Sequence, residues 1–173
     1  LFPKAKFIIT LRDPKKRAHS LYRHMRRLKH PVDHRPYEDI PDFASALLAE
    51  DERYASKAFF DTCRQYFWNF LYCRSSLYDG QLQRYLSLFD RDQLHVLSLA
   101  ELSADPISAT EDIARFLDID PSPVKRFAFD IKNPDREKYE TYGGQAEAIM
   151  DAAFDGLTER TDAIVGRPLN WSL

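Results

Sequence analysis

The stretch Lys6-Phe7-Ile8-Ile9-Thr10-Leu11-Arg12-Asp13-Pro14-Lys15-Lys16-Arg17-Ala18-His19-Ser20 decides the fold. Its first half is a short apolar run rich in β-branched residues, bounded by lysine and arginine, which reads as a buried strand. Asp13-Pro14 then starts a helix, with Asp as the N-cap and Pro at the first helical position. Ala18, Leu21, Tyr22, Met25 and Leu28 recur at helical spacing and carry that helix to about Lys29.

Working outward, Pro31, Pro36 and Pro41 punctuate a loop. Residues 42–52 and 59–72 read as helices, the second with a dense aromatic face. Leu82, Tyr85, Leu86 and Phe89 give residues 77–89 helical spacing. Leu94, Val96 and Leu97 mark residues 93–99 as a second buried strand. Residues 107–117 form an amphipathic helix, residues 121–144 an irregular polar stretch, and residues 145–165 one last helix stopped by Gly166 and Pro168. Strands separated by helices imply an α/β fold with a parallel sheet.

The 173 residues fit one domain, and 44% hydrophobic with 30% charged residues is ordinary for a globular protein. The formal net charge of −2 hides an uneven distribution. Between Arg12 and His30 lie Arg12, Lys15, Lys16, Arg17, Arg23, Arg26, Arg27 and Lys29, with Asp13 the only acid. Such a stripe is either a solvated helix face or a seat for an anion: a phosphate, a sulfated glycan or a nucleic acid. The absence of aromatic interleaving on its basic face and the acidic total argue against nucleic acid. Cys63 and Cys73 sit in an aromatic-rich stretch that reads as helical; ten residues along one helix is about 15 Å, too far for a disulfide without a break between them, so both are expected as buried free thiols. The five histidines form no spaced cluster with acids or cysteines, and no metal site is expected.

The strand-to-helix turn carries the chemistry. Ligands in open α/β sheets sit at the carboxyl ends of strands. A helix N-terminus there favours an anion. Arg12 stands at that end with a planar fork suited to phosphate oxygens, and Ser20 offers a hydroxyl from the following helix. The residues alone leave other readings open: a salt bridge for Arg12, a small packing residue for Ser20, a core tyrosine for Tyr78.

Phe2-Pro3-Lys4-Ala5-Lys6, then Leu11-Arg12-Asp13-Pro14 and Arg17-Ala18-His19-Ser20-Leu21-Tyr22-Arg23-His24, closely resemble the 3′-phosphate-binding segment of the sulfotransferase family. Ser76 to Leu86, the strand through Glu101-Leu102, and Ile113-Ala114-Arg115-Phe116-Leu117 are similar to later family segments, with Asp118 where the family has Gly. Gly166 to Trp171 resembles the ending of carbohydrate and bacterial members. The resemblance implies a P-loop NTPase-like sulfotransferase fold with a parallel sheet flanked by helices. It further implies that residues 1–173 are the C-terminal portion of a single such domain, without the N-terminal phosphosulfate loop.

It implies 3′-phosphoadenosine 5′-phosphosulfate (PAPS) as cofactor and 3′-phosphoadenosine 5′-phosphate (PAP) as product, with Arg12 and Ser20 on the 3′-phosphate and Tyr78 near the adenine. Arg17 is expected to support the loop. The acceptor would be a glycan or another hydroxyl or amine compound. The family's catalytic lysine and base are absent from this sequence, so the remaining half of the site is expected from an upstream segment or a partner chain, and these residues alone are expected to be inactive. A non-catalytic relative that keeps the fold is the alternative.

Overall fold

The computed structural model describes residues 3–129 and 142–172. They form two compact units, one of residues 3–13, 78–129 and 158–172 and the other of residues 14–77 and 142–157.

In the first unit, β1 (Phe7–Leu11) pairs in parallel with β2 (Leu94–Ser98), Phe7 opposite Leu94 and Leu11 opposite Ser98. A parallel pair needs a long crossover, and here most of the second unit lies between the two strands in sequence. The unit also contains α5 (Tyr78–Leu86), α6 (Leu99–Ala104), α7 (Pro106–Phe116) and nearly all of α9 (Leu157–Val165). Leu11, Tyr78, Leu82, Val96, Val165 and Leu169 form its core, with Ile9, Ile164 and Trp171 packed against them. The expectation that β1 is a buried strand needs correction. Ile8 is 41% exposed and Thr10 is exposed, while Leu11 is buried. Alternate side chains point to opposite faces of a strand, and only the Ile9–Leu11 face joins this core.

Local chemistry fixes the ends of these elements. Ser98 and Glu101 form a capping box: Ser98 Oγ accepts from Glu101 N at 3.0 Å and Glu101 Oε2 from Ser98 N at 2.8 Å. Asp105 caps α7 through Ser108 N at 3.0 Å, with Pro106 at the first turn. At the far end of α7, Asp118 N donates to Arg115 O and Ile119 N to Ala114 O, a Schellman closure. That closure puts Asp118 at φ +60°, a left-handed conformation that glycine adopts most readily. Aspartate tolerates the conformation, and its carboxylate also receives the Lys6 ammonium.

The second unit is helical: α1 (Pro14–Arg27), α2 (Phe43–Leu48), α3 (Glu50–Ala55), α4 (Lys57–Thr62), 3₁₀ turns at Phe67–Phe70 and Arg74–Ser76, and α8 (Gly144–Ala153). Ala18, Tyr22 and Met25 of α1 join Phe43, Leu47, Phe70, Tyr72, Met150 and Leu157 in its core. Leu28 of the expected stripe is 36% exposed and lies past the helix end.

Three helices expected as continuous are broken. Residues 42–52 divide at Ala49. Residues 59–72 leave the helix at Cys63, whose backbone is extended, and turn so that Phe59, Phe60, Phe67 and Phe70 meet edge to face or tilted. Aromatic density there marks tertiary packing rather than helical periodicity. Residues 145–165 divide between α8 and α9 at Gly156, at φ +61°. Both cysteines are free; Cys73 is buried and Cys63 only partly so. No helix of the described residues is long and apolar enough to cross a membrane.

Candidate functional site

β1 ends at Leu11, and the chain runs through Arg12 and Asp13 straight into α1. Arg12 is half-buried, with Nε enclosed and making no hydrogen bond among the described residues, although the residue is otherwise engaged. Its backbone is held from below: the Tyr78 hydroxyl donates to Arg12 O at 2.9 Å. Tyr78 is only 4% exposed, and its ring lies parallel to Trp171, 5° between planes and 6.2 Å between centroids. Trp171 Nε1 donates to Asp162 Oδ1 at 3.1 Å, and the same oxygen accepts Leu169 N at 3.1 Å. Ile9, Leu11, Tyr78, Gln81, Leu82 and Tyr85 line a cavity of about 140 Å³ beside it.

Ser20 is half-buried on α1, in the second unit. The structure therefore links Arg12 to Tyr78 directly and places Ser20 on the helix that follows. Arg17, three residues before Ser20, donates through Nη1 to Ser75 Oγ and Ser76 Oγ, both at 2.9 Å, and Ser76 Oγ donates on to Tyr72 O at 2.7 Å. Arg17 thus ties α1 to the Arg74–Ser76 turn. Much of the basic stripe is used within the unit: Lys15 pairs with Asp151, and Arg26 Nη1 donates to Glu38 O at 2.9 Å. His19 is buried among Tyr22, Phe43 and Tyr142 rings.

Two buried carboxylates brace the same unit. Glu38, fully buried, takes a two-pronged contact from Arg53 (2.7 and 2.9 Å), the Tyr72 hydroxyl, and Ile40 N at 2.9 Å. Burial opposes its ionisation, but the bonds from Arg53, Tyr72 and the Ile40 amide outweigh that, so its carboxyl sits below the usual value. Burial raises the Tyr72 phenol, reinforced by the charge on Glu38. Glu50 accepts from Cys73 N at 2.7 Å and Arg74 N at 3.2 Å. Here burial dominates and lifts the carboxyl to about 6, while burial and the nearby Glu50 push the Cys73 thiol to about 12. A thiol so raised is a poor nucleophile.

The sulfotransferase domain family model matches residues 1–142, a stretch that contains Arg12, Ser20 and Tyr78. The chain belongs to the sulfotransferase family. The crystal structure of a sulfotransferase from Alicyclobacillus acidocaldarius is similar to it, at 28% identity and a TM-score of 0.69 over 95% of this chain. The chain spans 56% of that protein's length. No functionally curated protein matches the sequence. The fold is accordingly the α/β, P-loop-like sulfotransferase fold, with its parallel strand pair as described.

Sequence reasoning missed four supporting residues. Ser75 and Ser76 are ordinary loop serines until Arg17 reaches them. Asp162 sits in the last turn of α9 with no sequence pattern to mark it. Glu50 lies at a helix junction the sequence does not reveal. Of the supporting residues, Trp171 and Ser76 alone fell in family-like segments, with no role attached to either.

Proposed function

We propose that this chain holds the 3′-phosphate end of PAPS in an enzyme that transfers a sulfuryl group to a hydroxyl or amine, on a carbohydrate acceptor. The observation that carries the reading is the placement of Arg12. A guanidinium stands at the carboxyl end of a parallel strand, its carbonyl fixed by Tyr78, with a helix beginning two residues later. A rigid guanidinium fork of that kind suits a phosphate dianion.

Arg12 and Ser20 would hold the 3′-phosphate, as the family pattern has them. Tyr78, also a cofactor residue by that pattern, has one face against Trp171 and offers the nucleotide little more than an edge, so its support of Arg12 is its larger part. PAPS, when bound, supplies an activated sulfuryl group on a phosphate leaving group. This chain's residues bind and orient the cofactor at its far end. The carbohydrate acceptor rests on analogy, from the Gly166–Trp171 ending and the Leu11-Arg12-Asp13-Pro14 form.

The experiment is a radiolabelled-sulfate transfer assay on the whole protein with glycan and phenolic acceptors. Label moving from PAPS to glycans is expected. Transfer confined to phenols would overturn the acceptor, and no PAPS-dependent transfer would overturn the enzyme.

A further inference from the structure

The last turn of α9 and the C-terminal tail put a carboxylate, an indole and a phenol in line behind Arg12. Asp162 Oδ1 receives both Trp171 Nε1 and Leu169 N, which fixes the indole plane from two points on the tail. The indole lies flat on Tyr78, and Tyr78, pinned between Trp171 and the Leu11–Leu82–Val96 core, has its hydroxyl on Arg12 O. Side chains so placed lose little further freedom when a ligand binds, which is how a supporting shell raises affinity. The Arg12 carbonyl, between the strand ladder and α1, is where this chain of contacts ends.

We propose that Asp162 and Trp171 are positioning residues for the nucleotide's 3′-phosphate, acting through Tyr78 on Arg12. The inference rests on the reading of Arg12 as a 3′-phosphate ligand. The tail from Gly166 to Trp171 is then part of the cofactor site without touching the cofactor.

The test is the ratio of affinities for PAP and for adenosine 5′-phosphate, which differ by the 3′-phosphate alone. Tyr78→Phe removes the hydroxyl and keeps the ring, and should lower that ratio by roughly 2- to 10-fold, the worth of one neutral hydrogen bond. Trp171→Ala should lower it similarly. Asp162→Asn keeps an acceptor oxygen and should restore most of what Asp162→Ala loses. A purely structural role would weaken both nucleotides alike and leave the ratio unchanged. Thermal melts identify any variant that fails to fold; Tyr78→Phe and Trp171→Phe preserve the packing and carry the test in that case, the second by loss of the Asp162 bond.

A spectroscopic readout accompanies it. Residues 1–173 hold two tryptophans, and Trp68 is 56% exposed, so Trp68→Phe leaves Trp171 as their one tryptophan. In that background PAP should change the emission, adenosine 5′-phosphate should change it less, and Tyr78→Phe should erase the difference. If PAP is preferred, Arg12→Ala abolishes the preference, and Tyr78→Phe and Trp171→Ala leave it intact, this inference falls and the proposed function stands. If the unaltered protein does not prefer PAP, both fall.

Discussion

Replacing Glu38 by glutamine should cost about 3–5 kcal/mol of stability, the range for removing one member of a buried ion pair. Arg53 is 7% exposed and meets Glu38 through two bonds at 2.7 and 2.9 Å. A glutamine amide returns one acceptor and turns its NH₂ toward an Arg53 N–H, so the guanidinium stays buried without a counter-charge and loses one of its two bonds. Arg53 retains the faces of Phe59 and Phe70, at 5.3 and 5.5 Å from the ring centroids. Those contacts argue for the lower half of the range.

At about 2–4 °C per kcal/mol for a chain of this size, the melting temperature should fall by roughly 6–20 °C. The assay is thermal and urea unfolding of Glu38→Gln, Arg53→Met and the double variant, with the double variant recovering much of the loss. The gap between wild type and Glu38→Gln should also close in acid. The Glu38 carboxyl lies below its ordinary 4.5 in the folded chain, so its contribution is complete above 4.5 and is lost as pH falls through the lower folded value. A loss under 1 kcal/mol, or a double variant worse than either single, would refute the reasoning.

Glu50 should behave oppositely. Its carboxyl is raised from 4.5 to about 6 in the folded chain, so its contribution is fully present below 4.5 and is lost as pH rises through about 6. That displacement corresponds to about 2 kcal/mol, so Glu50→Gln should gain about that much on wild type between pH 4.5 and 7.5; a pH-independent difference in urea titrations would contradict it. Gly156→Ala should cost about 1–2 kcal/mol, because the residue sits at φ +61° between α8 and α9; an unchanged urea midpoint would show that the break relaxes. These 173 residues assayed alone should transfer no sulfate from PAPS, since Arg12 and Ser20 are assigned to the phosphate away from the reacting bond. Turnover abolished by Arg12→Ala would show the reacting groups to be here.

Elements set by strong local signals were legible in the sequence. The apolar run at Phe7–Leu11 followed by Asp13-Pro14 announced β1 and α1, and the amphipathic spacing of residues 107–117 announced most of α7. The parallel pairing of β1 with β2 followed from the order of elements. What was not legible depended on contacts distant in sequence. The aromatic residues between Phe59 and Phe70 look helical along the chain, yet their rings meet only because the backbone turns at Cys63. Gly156 is one glycine among five, and nothing in composition tells that it alone divides the last helix. At the site, Arg12, Ser20 and Tyr78 stood out through a residue pattern, whereas Asp162 acts across tertiary space on an indole nine positions away and leaves no local trace.

The central claim is that Arg12 binds a 3′-phosphate, and calorimetric titration of PAP and adenosine 5′-phosphate into wild type and Arg12→Ala tests it most directly. Loss of a hydrogen-bonded charged group should weaken PAP by about 1.5–3 kcal/mol, roughly 10- to 150-fold, and Ser20→Ala by about 0.5–1.5 kcal/mol. Both losses should shrink sharply for adenosine 5′-phosphate. Equal weakening of the two nucleotides would mean that these residues serve the fold, and the account of the site would be wrong.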